Sequence, residues 1–263
     1  MTKRNSKNTE ILVIGDAHFQ PNINDDRATW AGMLAVKRLP DVIVCIGDWA
    51  DMKSLSMYDK GSVYHEGLRY FEDINSSIEA LQKFHAPIDK YNKRMKAKGK
   101  KQYKPELVFC VGNHEQRIIR YGASNPEMHN HISLDDLGFN EWGWKVVPFL
   151  QPYICNGIAF SHYFTSGVMA RPIGGDNHAN ALLRKGAMSS VVGHSHLLDY
   201  SEKLNAAQKK ICALVTGCFF EHDENWTSEN NRYWRGLCYL RDVKDGVFTP
   251  EPLTMEWLKR KFS

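Results

Sequence analysis

The sequence predicts a single α/β domain, a two-sheet β-sandwich flanked by helices. Three observations predict it. The first half alternates short apolar runs with helical periodicity, and the second half strings short strand candidates together with few helices between them. No internal repeat, low-complexity linker or shift in composition separates the halves. Strands divided by helical crossovers imply a largely parallel sheet, and a strand-rich second half needs a second sheet to cover its apolar face.

In chain order, residues 1–8 read as a disordered N-terminal arm and residues 9–263 as the domain. Ile11–Ile14 reads as a strand, Asp25–Lys37 as a helix and Val42–Ile46 as a second strand. A helical insert follows at about 52–104. In it Phe71, Ile74, Ile78, Leu81, Phe84, Ile88 and Tyr91 recur in steps of three and four, the spacing of one helical face. Pro87 should bend that helix. Leu107–Val111 is a third strand. Beyond it the candidates are Val146–Val147, Tyr153–Cys155, Ile158–Ser161, Ser190–Val192, Ile211–Thr216, Leu237–Leu240 and Val247–Thr249, with residues 178–187 as the main helix among them.

Composition narrows the class of protein. Of 263 residues, 43% are hydrophobic and 24% charged, ordinary for a soluble globular chain. No apolar run approaches the ~20 residues of a membrane-spanning helix. Lys3, Arg4 and Lys7 resemble the start of a signal peptide, but Ile11–Ile14 is too short for its apolar core. The expectation is a cytoplasmic protein with no membrane partner. Six cysteines include no Cys-x-x-Cys pair, and Cys45, Cys110 and Cys212 lie in apolar runs, so they read as small hydrophobes. The net charge of +4 permits a polyanionic partner without requiring one.

The chemistry lies where the strands end. Five apolar runs each lead into an acid, an amide or a histidine: Gly15-Asp16-Ala17-His18, Gly47-Asp48-Trp49-Ala50-Asp51, Gly112-Asn113-His114-Glu115, Ser161-His162 and Gly193-His194-Ser195-His196. In open α/β sheets ligands gather beyond the carboxyl ends of the strands, so these groups should meet in one site. A glycine directly after a strand lets the chain turn and leaves room beside the backbone. One such pattern alone is weak; the set, in order and each after an apolar run, is strong.

On these motifs the chain resembles the calcineurin-like metallophosphoesterase superfamily, whose signature is Asp-x-His, Gly-Asp-x-x-Asp, Gly-Asn-His-Glu, a lone His and Gly-His-x-His. The match spans residues 11–196, and the C-terminal part also resembles bacteriophage-encoded members. The resemblance implies the metallo-dependent phosphatase fold and two divalent cations. One would be held by Asp16, His18 and His196, the other by Asn113, His162 and His194, with Asp48 bridging them. Such mixed donors suit Mn²⁺, Fe or Zn²⁺ better than Ca²⁺ or Mg²⁺, and Mn²⁺ is the first expectation. The implied reaction is hydrolysis of a phosphate ester by metal-activated hydroxide. His114 would protonate the leaving group with Asp51 orienting it, while Asn113 and His114 would also touch the substrate. Glu115 has a plainer reading, as an acid at the positive end of the helix that starts there. Met52-Lys53 stands where protein phosphatases of this superfamily have Arg-Gly, which speaks against a phosphoprotein substrate.

Further residues carry two readings each. Gly167–His178 is a loop-like stretch close after His162, and Arg171 and His178 in it either hold phosphate oxygens or belong to a plain turn. His65, His85, His129, His131 and His222 lack any motif and read as surface or core. The basic run Lys93–Lys101 either contacts a phosphate backbone or is a solvated helix end. Trp142 and Trp144 either stack on bases or pack. The expected substrate is a phosphodiester in DNA, RNA or a nucleotide. The alternatives are a phosphomonoesterase for small phosphorylated molecules and a non-catalytic binding scaffold of the same fold. Protein partners are not legible.

Overall fold

In the computed structural model, residues 8–224 and 232–263 are described. The arm at residues 1–8 falls outside them except for Asn8, whose amide donates to Asp242 Oδ1 at 3.3 Å. The first half builds β1 (Thr9–Ile14), α1 (Asp26–Arg38), β2 (Val42–Cys45), α2 (Tyr70–Ala97), β3 (Glu106–Cys110), α3 (Gln116–Ser124) and β4 (Lys145–Val147). Consecutive strands β1 to β4 pair in parallel, as helical crossovers between strands require. β12 (Gly236–Lys244) and β13 (Val247–Thr254) return late in the chain to extend this sheet antiparallel beside β1, giving the order β13-β12-β1-β2-β3-β4.

The second sheet has the order β10-β11-β9-β6-β5, from β5 (Tyr153–Cys155), β6 (Ile158–Phe160), β9 (Ser189–Val192), β10 (Leu198–Leu204) and β11 (Lys210–Thr216). β7 (Thr165–Ser166) and β8 (Arg171–Pro172) form a small separate ribbon, α4 (His178–Gly186) leads into β9, and α5 (Met255–Phe262) ends the chain.

Strand alternation sorts the apolar side chains into layers. Ile11, Val13, Val42, Val44 and Val108 pack between the sheets against Phe160, Val191, Cys212 and Leu214. Leu12, Ile14, Ile43, Cys45 and Phe109 point the other way, onto Leu34 of α1 and Leu81 and Phe84 of α2. Val192, Ala213 and Val215 on the outer face of the second sheet meet Leu182 and Leu183 of α4. Strands covered on both faces explain the uninterrupted apolar runs of the sequence.

The expected sandwich with flanking helices is what the chain forms. Pro87 lies inside α2, and Gly32 of α1 packs there, where a Cβ would collide with the Phe84 carbonyl. Three details differ. Phe71 is 60% exposed, because the first turn of α2 extends past the surface that buries Ile74, Leu81, Phe84 and Ile88. β10 was hidden by its polar composition, since it is an edge strand with little buried surface. β13 runs on to Thr254 and α5 follows directly, capped by the Thr254 side chain accepting from Trp257 N. Among the described residues no helix is long and apolar enough to cross a membrane.

Candidate metal centre

The loops after β1, β2, β3, β6 and β9 converge on one edge of the sandwich. They bring Asp16, His18, Asp48, Asn113, His162, His194 and His196 together. Donor atoms of Asp16, His18 and His196 lie within 4.8 Å of one another, as do those of Asp48, His162 and His194. His196 Nε2 stands 3.1 Å from Asp16 Oδ2, and His162 Nε2 is 3.2 Å from Asp48 Oδ2 and 2.9 Å from Asn113 Oδ1. His18 Nε2 stands 3.7 Å from the same Asp48 Oδ2. Asp48 therefore faces both groups.

Second contacts orient the imidazoles. His18 Nδ1 lies 2.9 Å from Glu224 Oε1, a carboxylate that can only accept, so Nδ1 carries a proton and Nε2 is the nitrogen turned to the cluster. His162 Nδ1 is 3.1 Å from the Ile46 carbonyl, with the same consequence. His18 Nε2 is buried and has no hydrogen-bond partner. A buried nitrogen base without a partner, surrounded by carboxylates and other nitrogen bases, fits a cation in that place.

The backbone is bent to make room. His18, Asp48, His194 and His196 have φ of 45°, 51°, 71° and 58°, a left-handed region that costs a non-glycine residue roughly 1 kcal/mol or more. Two glycines admit the acids: a Cβ on Gly112 would overlap Asp48 Oδ1, and one on Gly193 would overlap Asp16 Oδ1. Asp16 is tied down by the N–H of His194, 2.9 Å from its Oδ2. Asp48 Oδ1 accepts from the N–H of His114 at 2.9 Å.

Glu115 has a different position from the one expected. Its side chain does not cap α3. Fully buried, it accepts from the N–H groups of Asp48, Ala50 and Gly112 at 3.0, 3.0 and 2.9 Å, so it clamps the loops after β2 and β3 to each other. Burial and then the Asp48 charge push its carboxyl up to about 7, against the pull of the N–H groups.

The charges of the cluster balance one another through its imidazoles. Burial opposes ionisation of Asp48, yet His114 and His162 outweigh it and hold that carboxyl well below its ordinary value. Burial likewise opposes a proton on His18, but Asp48 and Glu224 raise its pKa well above normal. His194 is instead lowered to about 4, by burial and by the nearby His162. Imidazolium protons thus supply positive charge that a divalent cation would replace.

Beside this cluster a cleft of about 420 Å³ is lined by His18, Asp48, Asn113, His114, His194 and His196, with Ser56, Tyr58, Asp59 and Arg117 at its other wall. His114 Nδ1 meets the Asp51 carbonyl at 2.8 Å and Asp51 Oδ1 at 3.0 Å. Burial opposes the charge on Asp51, but His114 and His18 pull its pKa down to about 2. Arg117 NH1 donates to the Asp51 carbonyl at 2.8 Å, and its NH2 lies 3.2 Å from His114 Nε2.

Arg171 and His178 are not among the residues of this cleft. Arg171 is exposed on the β7–β8 ribbon. His178 is fully buried at the start of α4, its Nδ1 3.1 Å from Ser195 Oγ, beneath the loop that carries His194 and His196. Sequence reasoning missed Glu224, Arg117 and Tyr58. Glu224 follows β11 with no motif around it and reaches His18 only through the fold. Arg117 had a signal: it stands three residues after His114, one helical turn away on the same face. His85 and Trp144 are core, the indole N–H donating to His85 Nε2 at 2.9 Å, with Trp142 stacked on His85. His222, read as surface or core, lies 3.4 Å from Glu224 Oε1 at the back of the centre.

Comparison with known proteins bears on this arrangement. The profile of the family described as calcineurin-like phosphoesterase matches residues 9–169, more than half of the chain. Curated proteins return no match. Among solved structures, Yfce, a phosphoesterase from E. coli, is similar with a TM-score of 0.39 and 11% identity, over 92% of this chain and 98% of that one. A predicted phosphoesterase from Streptococcus pneumoniae gives 0.38 and 12%, over 95% and 91%. A protein of Thermus thermophilus gives 0.36 and 9%, over 94% and 99%. Likeness at these scores carries no argument about function.

Proposed function

From the premise that the chain belongs to the calcineurin-like phosphoesterase family, and is a metal-dependent phosphoesterase, we propose that it cleaves phosphodiesters of nucleic acids or nucleotides. The observation that carries the site reading is the set of inward-turned, partnerless or carboxylate-facing imidazole nitrogens at the strand ends. Asp16, His18 and His196 would hold one cation, and Asn113, His162 and His194 the other, with Asp48 shared. Imidazole, carboxylate and amide donors in this mixture favour Mn²⁺, with Fe or Zn²⁺ next. When bound, two such cations supply Lewis acidity, which polarises phosphoryl oxygens and makes a water more acidic.

The remaining steps belong to side chains. His114 faces the cleft and gives its Nε2 proton to the leaving oxygen, while Asp51 orients the ring and stabilises the imidazolium. Arg117 stands at that same nitrogen in the free protein. A phosphate oxygen is a stronger partner for a guanidinium than a neutral imidazole is. Substrate would therefore draw Arg117 away and let Nε2 take up a proton from water, which it then passes to the leaving oxygen.

Two features favour a nucleotide unit over a small monoester. Tyr58, 97% exposed at the rim of the cleft, offers a ring on which a base can stack. The overall charge of +4 suits a polyanion. The 52–104 segment is then an insert of a single domain, and its first part carries Tyr58 to the rim. Six free cysteines, five of them buried, support a reducing, cytoplasmic setting. The test is hydrolysis of bis(p-nitrophenyl) phosphate and of p-nitrophenyl phosphate with Mn²⁺, with chelator, and by Asp48→Ala. Metal-dependent cleavage that favours the diester and disappears in the variant is expected. Preference for the monoester would overturn the substrate assignment, and no metal-dependent cleavage of either would indicate a binding scaffold.

A further inference from the structure

The basic run at residues 93–101 gathers with cations from two other helices on the edge of the molecule opposite the metal centre. α1, α2 and α5 bring their last turns to this edge, where Lys37 of α1 lies over the ring of Phe262 of α5 at 5.9 Å. Two adjoining clefts open there. One, of about 570 Å³, includes Leu39, Tyr91, Lys101, Tyr103 and Lys104 in its wall, and Asp41 as its acidic member. The other, of about 390 Å³, includes Lys37, Lys90, Tyr91, Arg94 and Phe262. Tyr91 lines both, so the two clefts adjoin at its ring and together form a groove lined by Tyr91, Tyr103 and Phe262. Arg94 lies over the Tyr91 ring at 5.5 Å.

The cations of this groove are not spent on internal pairing. Arg38 and Lys259 nearby are taken by Glu251 and Glu221. Among the described residues, Lys37, Lys90, Arg94, Lys101 and Lys104 form no ion pair. Lys261 even sits against Lys37, and that like-charged contact lowers the Lys37 pKa. Asp41, Asp89, Glu10 and Glu106 are acids close by; Asp41 accepts from Glu10 N at 3.0 Å, while Glu10 and Glu106 accept from the hydroxyls of Tyr239 and Tyr153 at 2.6 and 2.7 Å. Cations at the last turns of helices do offset the helix dipoles. That accounts for their presence on each helix separately, but not for three such ends meeting around an aromatic groove.

We propose that this groove is a second, non-catalytic binding surface for single-stranded nucleic acid. Charge complementarity selects a polyanion, and the concave shape selects a chain over a flat anionic bilayer. Partly exposed tyrosine and phenylalanine rings between cations give bases a surface to lie on while the ammonium groups meet phosphates. The groove borders the start of β2 and the centre borders its end. Asp48 lies seven positions after Asp41, a span on the order of 20 Å along a strand. A polynucleotide held here keeps its neighbouring phosphodiesters at raised local concentration near the centre. The proposal rests on the polynucleotide reading of the substrate but concerns different residues.

The experiment measures fluorescence anisotropy of a labelled oligothymidylate of about twenty nucleotides with the full chain in chelator, across about 50–200 mM salt. The variant Lys37→Glu/Lys101→Glu/Lys104→Glu should bind at least ~10-fold more weakly. Losing three phosphate contacts should also flatten the plot of log Kd against log salt by about 2, at ~0.7 per contact on a single strand. Hydrolysis of bis(p-nitrophenyl) phosphate with Mn²⁺ should stay at the wild-type level, which reports a folded protein and an intact centre. The neutral variant Lys101→Gln/Lys104→Gln should shift both readings in the same direction by a smaller amount. Unchanged affinity and slope in the variants would overturn the proposal. So would wild-type protein that ignores the oligonucleotide at low salt, or that prefers phosphatidylserine vesicles to it. Failure of ester hydrolysis in the wild type would instead remove the metal-centre reading and leave the binding result to stand for the groove.

Discussion

Gly112→Ala tests whether the carboxylate of Asp48 must sit where the fold puts it. A Cβ on residue 112 would overlap both Asp48 Oδ1 and the Asp48 backbone N. A side-chain rotation could move the oxygen, but it cannot move the backbone nitrogen. That nitrogen is held by Glu115, which also binds Gly112 itself. The loops after β2 and β3 must then part. Overpacking of this kind costs about 1–3 kcal/mol. For 263 residues, an unfolding entropy of ~2.1 cal/mol/K per residue gives ~0.55 kcal/mol/K, so Tm should fall by about 2–5 °C. Mn²⁺ binding, measured by calorimetry on the apoprotein, should weaken by at least ~10-fold, because the displaced carboxylate faces both donor groups. Gly174→Ala is the control, since nothing lies within 4 Å of its Cβ position. A Gly112→Ala protein with wild-type Tm and wild-type Mn²⁺ affinity would refute the packing argument.

Four other outcomes are expected. His114→Ala should keep its metal, measured by elemental analysis, and lose at least ~10²-fold in kcat; parallel loss of metal would contradict a proton-donor role. Arg117→Met should raise KM for a diester ~10-fold or more, the scale of a charged hydrogen bond to phosphate; an unchanged KM would remove Arg117 from the substrate. Glu224→Ala should weaken Mn²⁺ binding ~10–100-fold by freeing the His18 ring, and unaltered calorimetry would dismiss it as an orienting group. His85 is the pH test. Burial lowers its pKa from 6.5 to about 4, so between those values the unfolded chain takes a proton that the native state refuses. Its contribution is therefore full above pH 6.5 and is lost as pH falls towards 4, by at most about 3 kcal/mol. Urea unfolding of His85→Gln, which keeps an acceptor for Trp144, should show a flatter fall over that range; parallel profiles would reject the assignment.

The strand ends were legible because burial and chemistry write to the sequence separately. An apolar run followed at once by Gly and an acid or histidine has to be a buried strand that stops at a polar edge. That rule applies to Asp16, Asp48 and His194, and with one change each to Asn113, an amide, and His162, which follows Ser161; the fold brings all five to one place. Lateral order was not legible: no local pattern tells β12 to return beside β1, because that pairing is decided by which apolar faces remain uncovered. Edge strand β10 and the ribbon β7–β8 have too little buried surface to imprint a period.

The donor types, the sandwich with flanking helices and the family follow from residue identity and local spacing, which folding does not alter. Which groups act at a distance depends on how the folded layers meet. Glu224 meets His18 across 206 positions of sequence, and Glu115 turns from its own helix to tie two loops together. His178 is buried behind the centre, and cations from two helices and from the segment before β3 line adjoining clefts. Such contacts are set by the packing of whole layers, so they leave no mark within any single segment of chain.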